Sequence, residues 1–247
     1  GVAIGPHILG LVDTDAIARM DFVNDIALAF IAFGVGQYFK TVTLRQSGHK
    51  IVAITLWESL SAAVLVTASM YFLFHFSLPF SLLLGAIGCA TAPASTIMTI
   101  QQYDAKGPFV DLILQIVALD DAVALIAFSI CAAYVQASNA GGVSAGLILK
   151  PVLFNLLALL LGFLFGFVLH RAVDTDRSVQ HRLALTIAII LMLTGICAAM
   201  DISPLLSCMI LGACYINIGG SQSLFDQANR FISPILLIFF VLAGARL

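Results

Sequence analysis

Charged residues are scarce in this sequence: only 10% of the 247 residues are charged, while 61% are hydrophobic. A soluble globular domain carries about 25% charged and about 45–50% apolar residues. A single water-soluble core of this size cannot bury such an apolar excess, so the composition excludes a soluble enzyme and a disordered chain. Eleven basic against thirteen acidic residues leave a formal charge of −2, which argues against nucleic-acid binding.

Paired cysteines are also missing. The five cysteines form no C-x-x-C pair, accompany no histidine cluster and lie in apolar runs, so we interpret them as small buried side chains. They are Cys89, Cys131, Cys197, Cys208 and Cys214. A disulfide scaffold is therefore excluded. No nucleotide-binding motif is present, so we expect transport to be driven by an ion gradient or to be passive. We also expect no cofactor and no enzymatic activity.

Long apolar runs are the dominant feature of the chain. A membrane-spanning helix needs roughly 20 apolar residues, and these runs are continuous rather than alternating, which excludes a strand barrel. The sequence therefore predicts an all-α polytopic membrane protein, with residues 1–11 as the tail of a further helix. The predicted spans are 22–39, 51–74, 81–101, 109–136, 150–170, 183–200, 204–218 and 231–247.

Basic residues orient these spans. Eight of them lie on one set of alternate connections and two on the other, which predicts that the richer set is cytoplasmic. The predicted cytoplasmic connections are 40–50, 102–108, 171–182 and 219–230. The predicted outer connections are 12–21, 75–80, 137–149 and 201–203.

Two adjacent carboxylates, Asp120 and Asp121, lie inside a predicted span. Each costs roughly 2.5–3.5 kcal/mol at a helix centre. Asp120 lies ~17 Å along its helix, close to the membrane midplane, and the two side chains point about 100° apart. One can therefore meet a basic partner while the other faces water. An ion pair serving only packing is the alternative, but the pattern favours a cation or proton site.

A proline interrupts the preceding span. Pro93 removes a backbone donor and clashes with the preceding turn, and Ala92 is driven out of helical geometry. Thr91 and Ser95 can then offer hydroxyl and carbonyl oxygens, which hard cations prefer. A simple proline kink is the alternative. Because Pro93 lies ~12 Å from the inner end of its span, similar in depth to Asp120, the two features together favour a binding site.

Two further charged residues lie in or beside spans. Glu58 is roughly two turns from the cytoplasmic end of its span, where it either reaches the interface or supports the cation site. Arg246 lies at the outer end of the last span, where its long side chain can reach the interface. Gly162 and Gly166 form a small-xxx-small face typical of close helix packing.

Several segments of the sequence resemble those of one protein family. Residues 83–96 resemble the broken fourth helix of bacterial sodium/proton antiporters, which belong to the monovalent cation:proton antiporter superfamily. Residues 106–108 and 117–121 resemble their next helix, which carries paired aspartates. Weaker similarities lie at residues 5–11, 211–213 and 238–244.

This resemblance implies a fold of two inverted repeats, each with a broken helix, and a core domain beside a dimerisation domain. It implies that Asp120 pairs with a lysine from a later helix and that Asp121 is the main ion and proton carrier. An aspartate at position 120 points to the electrogenic sodium class. On this pattern, residues 1–247 are one partial exchanger domain whose last three helices are missing.

The predicted function is secondary active exchange of a monovalent cation for protons, in a homodimer in the inner (plasma) membrane. Its partners are the lipid bilayer, protons and the transported cation, Na⁺ or Li⁺ first. A K⁺/H⁺ antiporter is the nearest alternative. A sodium-coupled organic solute symporter of similar fold would need more polar groups inside the spans, and a channel or sensor would need a filter or a sensor domain.

Overall fold

The structure is a computed structural model of the chain. It describes every residue except 7, 92–95, 97–98, 101, 140–144, 174–177, 201 and 247. Within helices, it leaves out the side chains of 42–47, 118, 121–122, 136–139 and 145–152.

The described residues are largely α-helical. The helices are α1 (Thr14–Arg19), α2 (Asp21–Gly36), α3 (Thr41–Ala68), α4 (Leu78–Gly88), α5 (Pro108–Asn139), α6 (Ala145–Ala172), α7 (Val179–Ala199), α8 (Pro204–Asn217) and α9 (Gln222–Ala245). A 3₁₀ turn at Val2–Ile4 precedes them, and a π-helical turn at Ser69–Leu73 extends α3.

Each of the eight predicted spans overlaps a helix, from α2 to α9, which confirms the all-α polytopic architecture. Four helices are long and apolar enough to cross a membrane, and only 17–28% of their most apolar windows is buried within the protein. Apolar surface of this extent is compatible with lipid and unfavourable in water. These four are Gly48–Leu73, Leu153–Ala172, Val179–Ala199 and Gln222–Ala245.

Helix ends differ most from the sequence predictions. The predicted connections 40–50 and 219–230 are largely helical, because charged residues are compatible with a helix that continues beyond the hydrocarbon. The described part of residues 1–11 forms only the Val2–Ile4 3₁₀ turn rather than the end of an α-helix. Pro6 lacks a donor and Gly10 has a φ of +61°, so both oppose a continuous helix there.

The chain divides into two compact units. Unit 1 comprises Gly1–Gln37 and Ala158–Leu247, and unit 2 comprises Tyr38–Leu157. The boundary falls within α6, which therefore contributes residues to both units.

Close backbone contacts hold unit 1 together around the largely buried helix α8. A Cβ added to Gly212 would collide with the Phe33 carbonyl oxygen of α2, and one added to Gly36 would lie 2.7 Å from the Ala213 nitrogen. Cβ atoms added to Gly162 and Gly166 of α6 would likewise strike α8. The predicted small-residue packing face is therefore confirmed.

Among the described residues of unit 1, no charged side chain is buried. Arg246 follows α9 and forms an ion pair with Asp21 at the start of α2, with both side chains partly exposed. The pair joins two helix ends that the charge pattern places on the outer side. Arg246 is thus at its helix end, as predicted, and has a carboxylate partner there.

Candidate cation site

Unit 2 builds its site from three mutually packed helices, α3, α4 and α5. Glycine allows α4 to approach α3 closely, because a Cβ on Gly85 would lie 2.7 Å from the Ala63 carbonyl oxygen and would collide with the Thr67 hydroxyl. This close approach brings the end of α4 beside the middle of α3 and of α5.

Helix α4 ends well before the proline. Its last residue is Gly88, and the Ala90 N–H donates to the Ile87 carbonyl at 3.2 Å in a tight final turn. Thr91 is not helical, whereas Thr96 and Thr99 are helical again. The chain therefore leaves the helix and re-enters it across the predicted interruption. Ala92, Pro93 and Ser95 lie outside the described residues.

Asp120 is the centre of the site and is fully buried. Its Oδ2 accepts hydrogen bonds from the Thr91 N–H at 2.9 Å and from the Thr91 hydroxyl at 2.5 Å. Its Oδ1 contacts the hydroxyl of Ser59, which is also fully buried. Residues from α3, from α5 and from the segment after α4 thus converge on one carboxyl group.

The Ser59 hydroxyl adjoins two oxygens but carries one proton. Its Oγ contacts Asp120 Oδ1 and lies 2.8 Å from the Thr55 carbonyl oxygen. With Asp120 ionised, Ser59 donates to the carboxylate. With a proton on Oδ1, Asp120 donates to Ser59, and Ser59 donates to Thr55. The hydrogen bond between Ser59 and Asp120 is therefore kept in both protonation states of Asp120, whereas the bond from Ser59 to the Thr55 carbonyl forms only when Asp120 carries the proton.

The structure gives less information on the other predicted site residues. Asp121 follows Asp120 within α5, and its side chain lies outside the described part. Glu58 precedes Ser59 on α3, but its side chain is exposed and has no ion-pair partner among the described residues. The lysine that the resemblance pairs with Asp120 has no counterpart among its described contacts, which are hydroxyl and amide groups.

Sequence reasoning singled out Glu58 on α3 but missed Ser59 and Thr55 on the same helix. Ser59 and Thr55 lie one turn apart on one helix face, and both are fully buried. The Thr55 hydroxyl and the Gln115 Oε1 are buried without a hydrogen-bond partner among the described residues. The sequence feature that could have identified them is a pair of hydroxyl residues at an i, i+4 spacing within an apolar run.

The sodium/hydrogen exchanger transmembrane family model matches residues 1–247, the whole chain. The chain belongs to this family. A search of curated proteins finds no match. Members of the sodium/hydrogen exchanger family are membrane-embedded transporters, so the chain is a multi-pass membrane protein whose substrates are cations and protons.

Proposed function

We propose that this sodium/hydrogen exchanger family protein exchanges Na⁺ for protons by alternating access, with Asp121 and Asp120 as the shared carriers. The buried Asp120 at the helix interruption is the observation that supports this most. Burying a carboxylate in this position costs free energy, and such residues are typical of an ion pathway.

The chemistry of the surrounding groups fits a hard cation. Thr91 and Ser59 supply hydroxyl oxygens beside Asp120, and Ser95 would add another from the interrupted segment. A bound Na⁺ and a proton both neutralise the same carboxyl group, so they compete for it. Exchange follows when the neutralised site faces one side of the membrane at a time. The cation and the proton are substrates, and no resident cofactor takes part.

The paired aspartates also support an electrogenic cycle. Two carboxyl groups can carry two protons against one monovalent cation, which moves one net charge. A charge crossing a potential of about 100 mV gains about 2.3 kcal/mol, enough to drive cation export when the pH gradient is weak. We place this exchanger in the plasma membrane as a homodimer.

A K⁺/H⁺ antiporter is the second candidate, because hydroxyl and carboxylate oxygens serve both ions. An organic solute symporter is less well supported, since Asp120 is the one buried acidic or basic side chain among the described residues.

A transport assay in proteoliposomes that enclose a pH-sensitive dye distinguishes these functions. We expect Na⁺ to collapse a preset proton gradient more effectively than K⁺ or an organic acid. A potential set with K⁺ and valinomycin at zero pH gradient should accelerate Na⁺/H⁺ exchange. A response to K⁺ alone would favour the K⁺/H⁺ candidate, and exchange that ignores the potential would show an electroneutral cycle.

A further inference from the structure

Five aromatic side chains cluster where α3 ends and α4 begins. All five are exposed, and we call them the outer aromatic collar: Tyr71, Phe72, Phe74, Phe76 and Phe80. Their rings form two contacting groups. The ring centroid of Phe76 lies 6.3 Å from that of Phe74 and 5.2 Å from that of Phe80. The ring centroids of Tyr71 and Phe72 lie 5.0 Å apart.

The backbone presents these rings on a defined turn. After the π-helical turn, the Phe74 N–H donates to the Ser69 carbonyl at 3.2 Å, and the Phe76 N–H donates to the Met70 carbonyl at 3.1 Å. His75 between them adopts a φ of +56°, which reverses the chain into α4. The collar is therefore a consequence of how α3 terminates.

The exposure of the collar requires an apolar or interfacial surrounding. Phe72 is 72% exposed and Phe74 is 57% exposed, so neither ring belongs to a protein core. Large exposed aromatic side chains grouped at one helix end mark an interaction surface. It continues directly from the apolar surface of Gly48–Leu73, a helix long enough to cross the membrane.

Helix length gives the depth of the collar. Lys50 is the last basic residue before the apolar run, and the charge pattern places it on the cytoplasmic side. Twenty residues of helix from Ile51 rise ~30 Å, the thickness of the hydrocarbon, and reach Tyr71. The collar therefore falls at the outer boundary of the hydrocarbon, the depth at which aromatic side chains are enriched.

We propose that the outer aromatic collar lies in the headgroup region of the outer leaflet and holds the α3–α4 turn at that depth. The occupant of this surface is thus the bilayer interface, rather than a second copy of the chain or another protein segment. The proposal rests on membrane crossing and on the orientation of α3, and not on which ion is exchanged.

Depth-dependent fluorescence quenching tests this proposal. The chain has one tryptophan, so Trp57→Phe supplies a background into which Phe72→Trp or Phe76→Trp is introduced. Leu65→Trp is the matched control, because Leu65 is exposed on the same helix and lies ~10 Å deeper than Phe72. Each variant is reconstituted with phosphatidylcholine brominated near the headgroup or near the chain ends.

We expect the lipid brominated near the headgroup to quench both collar tryptophans more strongly than the deep-brominated lipid does, with the order reversed for Leu65→Trp. Two independent collar positions keep the test decisive if one variant folds poorly. Collar tryptophans that neither lipid quenches would overturn the proposal, because another protein surface would then cover them. Quenching by aqueous iodide alone, or a depth profile equal to that of Leu65→Trp, would overturn it as well.

Discussion

Units 1 and 2 are stabilised by different interactions. In unit 1, glycines such as Gly36 and Gly212 bring helices into backbone contact around α8. In unit 2, three helices meet around the carboxyl group of Asp120, which accepts hydrogen bonds from hydroxyl and amide groups. Close apolar packing is what a membrane scaffold needs, whereas a buried charge is costly and therefore marks function.

The buried polar groups of the two units sharpen this contrast. In unit 1, Thr194 contacts Cys208, Cys197 donates to Ser207 at 3.3 Å, and the buried Gln37 amide donates to the Gly34 carbonyl, so these buried groups are all uncharged. In unit 2, the buried set includes the carboxyl group of Asp120. Substitutions in unit 1 should therefore change stability, and substitutions around Asp120 should change exchange.

The largest expected effect is at Asp121. Asp121→Asn keeps the size of the side chain but removes the charge that binds the cation and the proton, so Na⁺/H⁺ exchange should fall to background. Because a neutral amide costs less to bury than a carboxylate, the unfolding midpoint should not fall. Dye dequenching and thermal unfolding measure the two quantities. Measurable exchange by a well-folded variant would exclude Asp121 as the carrier.

The next effect concerns the stability of unit 1. Gly212→Ala forces a methyl group against the Phe33 carbonyl, so we expect a loss of about 1–3 kcal/mol in the free energy of unfolding. Gly195→Ala is the matched control, because nothing lies within 4 Å of its added Cβ. The folded fraction of Gly212→Ala should retain the wild-type apparent Na⁺ affinity. Equal stability of the two variants would refute the tight packing of α2 on α8.

A smaller effect is expected at Ser59. Ser59→Ala removes a hydrogen bond to Asp120 worth about 1.5–3 kcal/mol, so the apparent Na⁺ affinity should fall about tenfold or more. Ser59→Thr keeps the hydroxyl and should restore most of the affinity. Ser61→Ala is the control. Like Ser59, Ser61 donates to a backbone carbonyl of α3, that of Glu58, but its side chain is exposed. Identical affinities of Ser59→Ala and Ser61→Ala would remove Ser59 from the site.

The smallest effect is expected at Pro93. Pro93→Ala restores a backbone donor, so the interrupted helix should close and withdraw some of its free carbonyl oxygens. We expect a few-fold loss of apparent Na⁺ affinity with little change in thermal stability. If the affinity does not change, the proline is a simple kink and the Ser95 assignment loses its basis, whereas the Thr91 assignment would rest on its hydrogen bonds to Asp120 alone.

Much of the fold could be predicted because apolar length and charge are local properties of the sequence. A helix overlaps each of the eight predicted spans, and four helices are long and apolar enough to cross a membrane. The glycine spacing at Gly162 and Gly166 likewise predicts the small-residue face of α6. The contact between Ser59 and Asp120 could not be predicted, because 61 positions separate them and only packing brings them together. The end of α4 at Gly88, before Pro93, also depends on hydrogen bonds that composition does not specify.

Proton release on cation binding tests the shared-carboxylate mechanism most directly. Na⁺ is added to the purified protein in weakly buffered solution, and a pH-sensitive dye follows the protons while calorimetry follows binding. We predict that Na⁺ displaces protons from the wild-type protein and from Gly195→Ala, and that Asp121→Asn releases none. Na⁺ binding to the wild-type protein without proton release would contradict competition for the same carboxylates.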